Sequence, residues 1–413
     1  MNDEDQYQRI QELFLLQRVA QRINAILDLD TLLEEVVNDV AQTFGYSRSA
    51  VLLKDDHTDE LVIAAVRGWT INFHIKGERF KIGEYGMVGH VGATGETHYA
   101  PDVSVDPYYQ VSEASTRSEL DIPLKVRGRL IGVFNFQHHE LNGFSTSRIQ
   151  LLEALAGHIA TAIENARLFQ RERQEKERMA RELEEARRVQ LSLFPGRNPD
   201  LPSFEITGLC LPCSEVGGDW YDYIPLRDGR LALVLADVSG KGMAAALLMA
   251  STRSILRLFA ERDLPPAEVL TQVNRVLIED FPRAKFVTMI YAVVDPALRN
   301  IVFANAGHLP PLFVNATGSQ FLKIDSGLPL GIQDVSFSEY RLAMPPESRL
   351  LFYSDGVSEA MNAAMEEFGA RRIRDHMANP SASVQSLLDG VRAFAKDYPA
   401  SDDRTLVLIS GRA

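Results

Sequence analysis

Hydrophobic residues near the N-terminus recur at helical spacing and then change to the short spacing of strands. Residues 8–27 have apolar side chains three or four positions apart, and a second helical pattern covers about residues 32–44. Apolar segments rich in β-branched and aromatic residues follow at 50–53, 61–66 and 130–136. Because turn residues bound each segment, we predict strands there. Residues 1–170 are therefore predicted to form one domain of mixed α/β structure.

A long stretch without helix breakers follows this domain. Between residues 147 and 194 the only Gly or Pro is Gly157, so one long helix is predicted. Thirteen of the eighteen residues from 171 to 188 are charged, which is typical of a single solvated helix. A dimeric coiled coil stays open as an alternative, because a weak apolar stripe follows the same helix. The stripe consists of Met179, Leu183, Ala186 and Leu193. Residues 171–198 are therefore predicted to be a charged helical linker.

Residues 199–413 are predicted to form the next domain. Pro195 and Gly196 stop the helix, and a loop with two further prolines follows. Strand patterns lie at 231–236, 287–294, 300–304, 349–353 and 405–409, and helical patterns lie between them at 243–259 and 267–278. This mixture of strands and helices predicts layered α/β packing.

Composition narrows the classes of protein that the chain resembles. The chain has 413 residues, of which 46% are hydrophobic, so two or three well-packed domains are expected. A net charge of −13 without a basic block argues against nucleic-acid binding. We saw no apolar run of the roughly 18–20 residues that a membrane span needs, and the N-terminus is acidic, so a cytoplasmic location is expected. Cys210 and Cys213 lack a second pair, and their spacing is interpreted as coincidental.

Four aspartates in the last two hundred residues stand where apolar segments meet small, turn-forming residues: Asp219, Asp237, Asp355 and Asp402. If their strands are neighbours, the carboxylates converge at one edge, and oxygen ligands of this kind suit Mg²⁺ or Mn²⁺. Nearby glycines permit close backbone approach to an ion or a phosphate. They are Gly217, Gly218, Gly240, Gly242 and Gly356. Any one such Asp is equally explained as a turn residue or a helix cap.

The contexts of these aspartates resemble a known enzyme family. The matching stretches are Ala186-Arg-Arg-Val-Gln-Leu-Ser-Leu-Phe-Pro195, Glu215-Val-Gly-Gly-Asp-Trp-Tyr-Asp222, Asp237-Val-Ser-Gly-Lys-Gly-Met-Ala-Ala-Ala246, Ala304-Asn-Ala-Gly-His-Leu-Pro-Pro311, Tyr353-Ser-Asp-Gly-Val-Ser-Glu359 and Asp402-Asp-Arg-Thr405. With them, residues 182–413 resemble the metal-dependent serine/threonine protein phosphatases (PPM), in their SpoIIE/RsbU-like branch. The resemblance implies an αββα sandwich in the C-terminal domain.

The same resemblance implies roles for the aspartates. Asp237 would bridge two Mg²⁺ or Mn²⁺ ions with help from the carbonyl of Val238. Asp355 and Asp402 would complete the other side, and Asp219 would hold one ion directly or through water. Two such ions lower the pKa of the water between them and offset charge on a phosphoryl group, which suits phosphoester hydrolysis.

Several neighbouring residues keep open roles. Asp222 and Asp403 are interpreted either as orienting groups for metal-bound water or as helix or turn caps. Ser239 stands where many family members have a His, so protonation of the leaving group has no assigned donor. Three cations, Lys241, Arg253 and Arg404, are expected to be solvated. His308 is expected to have a hydrogen-bonded structural role.

Residues 8–170 resemble a GAF domain, which implies a central antiparallel sheet. The stretches that carry this resemblance are Gly83-Glu-Tyr-Gly-Met-Val-Gly-His90, Asp102-Val-Ser-Val-Asp106, Arg117-Ser-Glu-Leu-Asp-Ile-Pro-Leu124, Ile131-Gly-Val133 and Leu155-Ala-Gly-His-Ile-Ala-Thr-Ala-Ile163. The domain has no Cys, which excludes a thioether-linked bilin, and the sequence identifies no ligand. Five aromatic residues either line a pocket or pack in the core. They are Trp69, Phe73, Tyr85, Tyr108 and Tyr109.

The two resemblances together predict a cytoplasmic signalling phosphatase under control of a GAF sensor domain. By family analogy its substrate is phosphoserine or phosphothreonine on a STAS-type anti-sigma-factor antagonist, within a partner-switching stress response. A homodimer is expected. The alternative is a catalytically weak GAF-linked scaffold that binds partner proteins, although a complete set of aspartates counts against it. A nucleotide cyclase is disfavoured because Trp220 and Tyr221 follow Gly-Gly-Asp219.

Overall fold

The computed structural model describes residues 17–18, 21–23, 25–69, 75–111 and 113–413. The chain divides into two compact units, Met1–Arg178 and Met179–Ala413. In the helix predicted over residues 8–27, positions 17–18 and 21–23 are helical, and Ile23 belongs to the hydrophobic core. The predicted positions Ile10, Leu13, Phe14 and Val19 lie outside the described residues, as does Phe73.

The first unit is built on a six-stranded antiparallel sheet with the order β3-β2-β1-β6-β5-β4. Its elements are α1 (Leu29–Phe44), β1 (Arg48–Lys54), β2 (Glu60–Arg67), β3 (Arg79–Lys81), α2 (Gly86–Thr94), β4 (His98–Ala100), β5 (Ser118–Val126), β6 (Arg129–His138) and the start of α3 (Thr146–Leu193). The predicted central antiparallel sheet is confirmed, and each predicted strand lies inside an observed one.

Helices cover both faces of this sheet. Apolar residues of α1 and of the first part of α3 pack against one face and form its main core, with Val36 and Ile159 fully buried. Asp28 caps the first turn of α1 by accepting from the Thr31 amide at 2.9 Å, and Gly45 ends the helix in the left-handed conformation. The opposite face meets α2 around a smaller cluster that includes Phe80. The sequence therefore produces a layered α/β unit.

The predicted long helix is one continuous element of 48 residues, Thr146–Leu193. Ion pairs four residues apart follow its charged part, such as Glu172 with Lys176 at 2.7 Å and Arg173 with Glu177 at 2.9 Å. Met179 of the apolar stripe is exposed. The coiled-coil pairing of this helix stays a prediction.

The second unit contains two antiparallel sheets and four main helices among its described residues. Its elements are β7 (Asp200–Leu201), β8 (Phe204–Leu211), β9 (Trp220–Pro225), β10 (Leu231–Val238), α4 (Met243–Ala260), α5 (Pro266–Asp280), β11 (Val287–Asp295), β12 (Asn300–Ala306), β13 (Leu312–Asn315), β14 (Gly318–Phe321), β15 (Glu339–Ala343), β16 (Arg349–Tyr353), α6 (Asp355–Ser358), α7 (Gly369–Met377), α8 (Val384–Ala395) and β17 (Arg404–Gly411).

These elements form four layers. One sheet has the order β15-β12-β11-β10-β9 and the other β14-β13-β16-β17-β8-β7. Their facing sides share a core that includes Leu233 and Phe352. The outer face of the first sheet packs against α4 and α5, and the outer face of the second packs against α7 and α8. The αββα sandwich that the resemblance implied is confirmed.

One helix has the length and the apolar composition of a membrane span, although the sequence analysis identified no such segment. By length and composition alone, Met243–Ala260 is apolar enough to cross a bilayer. Its Ala245, Met249 and Leu256 are buried in the core of the second unit. A core helix passes the same test, so this segment is weak evidence for a membrane span.

Candidate metal centre

Strands β9 and β10 bring Asp219 and Asp237 side by side. The two strands pair antiparallel with Ala236 opposite Trp220. Asp237 follows Ala236 and Asp219 precedes Trp220, so the two aspartates lie at the same end of the strand pair. Asp219 is only 2% exposed, and the Thr405 hydroxyl donates to its Oδ2 at 2.7 Å. The Ser354 side chain also hydrogen-bonds to Asp219. The first sheet thus supplies two carboxyl groups, and residues from the second sheet orient one of them.

The second sheet supplies Asp355 and Asp402. Asp355 begins α6 two residues after β16, and Asp402 lies two residues before β17. Because β16 and β17 are antiparallel neighbours, the end of one and the start of the other meet at the same edge. The structure therefore brings all four predicted aspartates to facing edges of the two sheets.

Burial and like charge raise the pKa of these carboxyl groups. Burial, with Asp355 and Asp402 nearby, raises the pKa of Asp237 to about 6, although a hydrogen bond from Asp219 opposes the rise. Burial and then the Asp237 charge hold the pKa of Asp219 well above its usual range. Burial and Asp402 also raise the pKa of Asp355. The site therefore concentrates negative charge that its surroundings do not balance.

Lys241 brings a positive charge to this group. Its Nζ lies 2.9 Å from Oδ2 of Asp402, and it also donates to the Ser401 carbonyl. This half-exposed lysine balances only part of the charge of the four carboxylates. Carboxylate oxygens with this excess of negative charge fit hard divalent cations. The carboxylates of Asp219, Asp237, Asp355 and Asp402 would hold such ions together with the Val238 carbonyl.

Asp403 holds the loop before Asp219 in place. Its carboxylate accepts hydrogen bonds from the backbone amides of Cys213 at 2.8 Å, Gly218 at 2.9 Å and Asp219 at 3.3 Å. A side chain on Gly217 has no room, because a Cβ there would lie 2.1 Å from Oδ2 of Asp403. Of the two roles open for Asp403, the structure favours that of a cap for this loop.

Asp222 has partners that the sequence did not indicate. Its carboxylate pairs with Arg257 at 2.7 Å and with Arg253 at 3.0 Å, and its side chain is 2% exposed. The expectation that Arg253 is solvated is therefore wrong, since its side chain is only 16% exposed and pairs with a buried charge. The pair links β9 to α4 and so positions the strand that follows Asp219.

Gln190 is a residue of the site that sequence reasoning missed. It lies near the end of α3 and is 6% exposed. Its Nε2 donates to the Gly217 carbonyl at 2.7 Å, and its Oε1 accepts from the Gly217 amide at 3.1 Å. The sequence did contain a signal for this role: Gln190 is an uncharged amide three residues before the end of a strongly charged helix. The amide therefore connects that helix to the loop before Asp219.

His308 has the structural role that its sequence context predicted. It is 4% exposed, its Nε2 donates to the Tyr353 carbonyl at 3.1 Å, and its Nδ1 accepts from Thr288 at 2.8 Å. Burial lowers the pKa of His308 to about 4. The neutral ring joins β11 to the end of β16 just before Asp355, and it is not a proton donor near neutral pH.

The two cysteines lie beside the carboxylates and form no disulfide. Cys213 Sγ and carboxylate oxygens of Asp402 and Asp403 all lie within 4.8 Å of one another. Burial first, and then Asp403, raise the pKa of Cys213 to about 11. The thiol is therefore protonated at neutral pH and adds a neutral wall to the site.

Comparison with known proteins finds a matching family in each half of the chain. Residues 28–163 match the model of the GAF domain, and residues 227–412 match the model of Stage II sporulation protein E (SpoIIE). Protein IcfG of Synechocystis sp. is 31% identical over 235 residues, which cover 50% of this chain and 37% of that protein. Phosphoserine phosphatase RsbU of Bacillus subtilis is 27% identical over 234 residues, which cover 55% of this chain and 69% of that protein.

A solved structure supports the fold of the second unit. The SiaA-PP2C domain of Pseudomonas aeruginosa superposes with a TM-score of 0.52 at 20% identity. The match covers 57% of this chain and 97% of that one. This similarity concerns the fold. The chain spans little more than a third of IcfG, so the likeness to that relative concerns one part of it.

We predict that His308 makes the second unit less stable in acid. Folding lowers the pKa of His308 from an ordinary value of 6.5 to about 4. The neutral ring therefore stabilises the folded state fully above pH 6.5, and this stabilisation is lost as the pH falls towards 4. The loss should approach roughly 3 kcal/mol. Urea denaturation of the wild type and of His308→Gln between pH 4 and 7.5 measures this loss. The difference in free energy of unfolding between the two proteins isolates His308, because the other titrating groups contribute equally to both. A difference that does not change with pH contradicts the prediction.

We also predict opposite effects of neutralising the adjacent residues Asp403 and Asp402. Asp403→Asn replaces an acceptor of three amide hydrogen bonds and should lower the free energy of unfolding by about 1–3 kcal/mol. Asp402→Asn removes one member of the carboxylate group and should leave metal-free stability unchanged or raised. Urea denaturation with a chelator present compares the two. Equal losses in both variants would show that Asp403 has no special role in the loop.

Proposed function

We propose that this chain, a GAF domain followed by a SpoIIE-type domain, is a metal-dependent protein serine/threonine phosphatase. The observation that carries the proposal is the group of four carboxylates at facing sheet edges, where Lys241 pairs with Asp402. The name of the relative RsbU, a phosphoserine phosphatase, supports this reaction. The complete carboxylate set counts against the scaffold alternative.

In this proposal Asp237 would be the ligand shared by two Mn²⁺ or Mg²⁺ ions, and Asp219, Asp355, Asp402 and the Val238 carbonyl would hold them as well. When bound, two such ions lower the pKa of coordinated water and offset charge on a phosphoryl group. Thr405 holds the carboxylate of Asp219 by a hydrogen bond.

Residues around the carboxylates position them and shape the entrance. Asp403 fixes the loop that leads to Asp219 through three backbone amides. Lys241 is half exposed beside Asp402, and in this proposal it adds positive charge near the phosphoryl group. Held in this way, the carboxylates need little rearrangement when ions and substrate bind.

We further propose a phosphorylated regulatory protein as substrate. By analogy with the RsbU-like branch it is a STAS-type anti-sigma-factor antagonist in a partner-switching pathway, and the enzyme acts in the cytoplasm as a homodimer. The net charge of −13 is compatible with a protein partner and does not favour nucleic acid.

Control by the GAF domain is proposed to pass through α3. The helix has no Pro or Gly after Gly157, and Gln190 near its end holds both backbone groups of Gly217. A change in the pose of the helix end therefore alters the loop that carries Asp219. In this proposal, ligand or dimer state changes activity by changing how Asp219 aligns with the other metal ligands.

The reaction is tested by phosphatase assays with Mn²⁺ on an aryl phosphate and on a phosphorylated STAS protein. Asp237→Asn should lower activity by roughly 100-fold or more, because loss of a bridging ligand should exceed the 10–100-fold effect of outer hydrogen-bond partners. Asp334→Asn, at an exposed carboxylate, is the matched control and should keep full activity. Activity that survives complete removal of metal would refute the proposal.

The control route is tested by changing Gln190. Gln190→Ala should lower activity by about tenfold, because the loop before Asp219 loses two hydrogen bonds. Gln174→Ala, at an exposed position on the same helix, should have no effect. Melting temperatures measured alongside activity separate a loss of alignment from unfolding. Equal activity in the two variants contradicts the route.

A further inference from the structure

An exposed apolar segment lies beside the metal centre of the second unit. Residues 326–333 belong to the connection between β14 and β15, and we call them the rim segment. Leu330 in its middle is fully buried, whereas Leu328 is 42% exposed and Ile332 is 51% exposed. Exposed apolar side chains are common one at a time, so the position of this pair relative to the carboxylates decides what it can do.

The rim segment extends the first sheet next to Val238. Val287 pairs with Val238 in the register of β10 and β11, and on its other side it forms an isolated bridge with Leu330. Val287 and Leu330 exchange two backbone hydrogen bonds, at 3.0 Å and 2.8 Å. Antiparallel partners have Cα atoms about 4.5 Å or 5.5 Å apart, so Leu330 lies roughly 10 Å from Val238. Leu328 and Ile332 are each two positions from Leu330 and therefore lie within roughly 17 Å of Val238.

A buried amide on α5 fixes the backbone of the rim segment. Asn274 is fully buried; its Oδ1 accepts from the Gly331 amide at 2.8 Å, and its Nδ2 donates to the Gln333 carbonyl at 2.9 Å. At the other end of the segment, the Gly307 amide donates to the Ser326 carbonyl. Because the backbone is already fixed, the segment loses little conformational entropy when a partner binds to its exposed side chains.

Lys285 joins the rim segment to the loop that follows Asp237. Its backbone carbonyl lies beside Gly331, where a Cβ would be 3.4 Å from the carbonyl oxygen. Its Nζ donates to the Ser239 carbonyl at 3.0 Å and leaves no room for a side chain on Gly240. The lysine therefore brings a positive charge from the rim segment to the loop of the metal centre. A phosphoryl dianion with apolar neighbours matches this order of positive charge and apolar surface.

We propose that the rim segment binds the protein substrate next to its phosphorylated residue. The occupant is an extended segment with apolar side chains about three to five positions from the phosphoserine or phosphothreonine. An extended chain advances about 3.3 Å per residue, so these positions reach roughly 10–17 Å from a phosphoryl group held at the carboxylates. Leu328 and Ile332 lie within this reach. The inference rests on the phosphatase reaction proposed above and adds a preference among its substrates.

The size of the exposed surface favours a short peptide segment over a second copy of the chain. A stable interface between two proteins buries about 800 Å² on each partner. The rim segment offers two partly exposed side chains, Leu328 and Ile332, which is far less than such an interface needs.

Two synthetic phosphoserine peptides test this preference on the full chain with Mn²⁺. At the positions about three to five residues on either side of phosphoserine one peptide has Leu and the other has Ser, and the two are otherwise identical. The Leu peptide should have a kcat/KM at least tenfold higher, mainly through a lower KM, because it buries apolar side chains. Equal values for the two peptides, while 4-nitrophenyl phosphate is hydrolysed, would overturn the inference. Hydrolysis of none of the three compounds would refute the proposed reaction and the docking role with it.

Variants then assign the preference to the rim segment. Leu328→Ser and Ile332→Ser should each lower the ratio of kcat/KM for the Leu peptide to kcat/KM for 4-nitrophenyl phosphate by about tenfold, through KM of the peptide. Leu298→Ser is the matched control and should keep the ratio. Leu298 is 68% exposed in the turn between β11 and β12, at the far end of β11 from Val287. Melting temperatures show that each variant is folded.

Two results with these variants would contradict the docking role. If Leu328→Ser and Ile332→Ser keep the wild-type ratio, the rim segment does not bind the substrate. Sedimentation of the same proteins tests the other occupant. A dimer that dissociates in these two variants and not in Leu298→Ser would make the rim segment a contact between two copies, and the inference would be wrong.

Discussion

Four aspartates that repel one another are held close together in the second unit, and its other polar contacts are arranged around them. Asp219 and Asp237 come from one sheet, Asp355 and Asp402 come from the other, and the ends of the strands hold them together. Without metal the arrangement is unfavourable, as the raised pKa values of Asp219, Asp237 and Asp355 show. A divalent cation would offset this repulsion. The strand ends of the two-sheet core hold the four groups near one another.

The surroundings of the cluster are organised by other polar groups. Asp403 binds both ends of the loop that leads to Asp219, at Cys213 and at Gly218, and Gln190 binds Gly217 between them; all these contacts are to backbone atoms. Asp222 fastens the following strand to α4 through two arginines. His308 fastens β11 to the end of β16 before Asp355. Asp219 and Asp355 are therefore each adjacent to a segment held by buried hydrogen bonds.

Sequence pattern predicted much of this framework and failed in identifiable places. The long helix and the hydrophobic strands were predictable because apolar periodicity and the absence of breakers are local signals. Strand β5 was not predicted as a strand, since its alternating Glu119 and Asp121 resemble a solvated face and Pro123 interrupts the run. Both faces of β5 are in fact buried. The partners of Gln190 and Asp222 could not be predicted from the sequence either. They lie 27 and more than 30 residues away along the chain, and only the fold brings them together.

The two units present related electrostatic problems. In each, carboxyl groups lie close to one another, four at the sheet edges of the second unit and two on β5 of the first. The central claim is that the first of these groups is a metal centre. Its most direct test is equilibrium binding of Mn²⁺ followed by electron paramagnetic resonance. The account predicts two ions bound per wild-type chain and loss of both in Asp237→Asn. Absent binding, or binding that Asp237→Asn leaves unchanged, would contradict it.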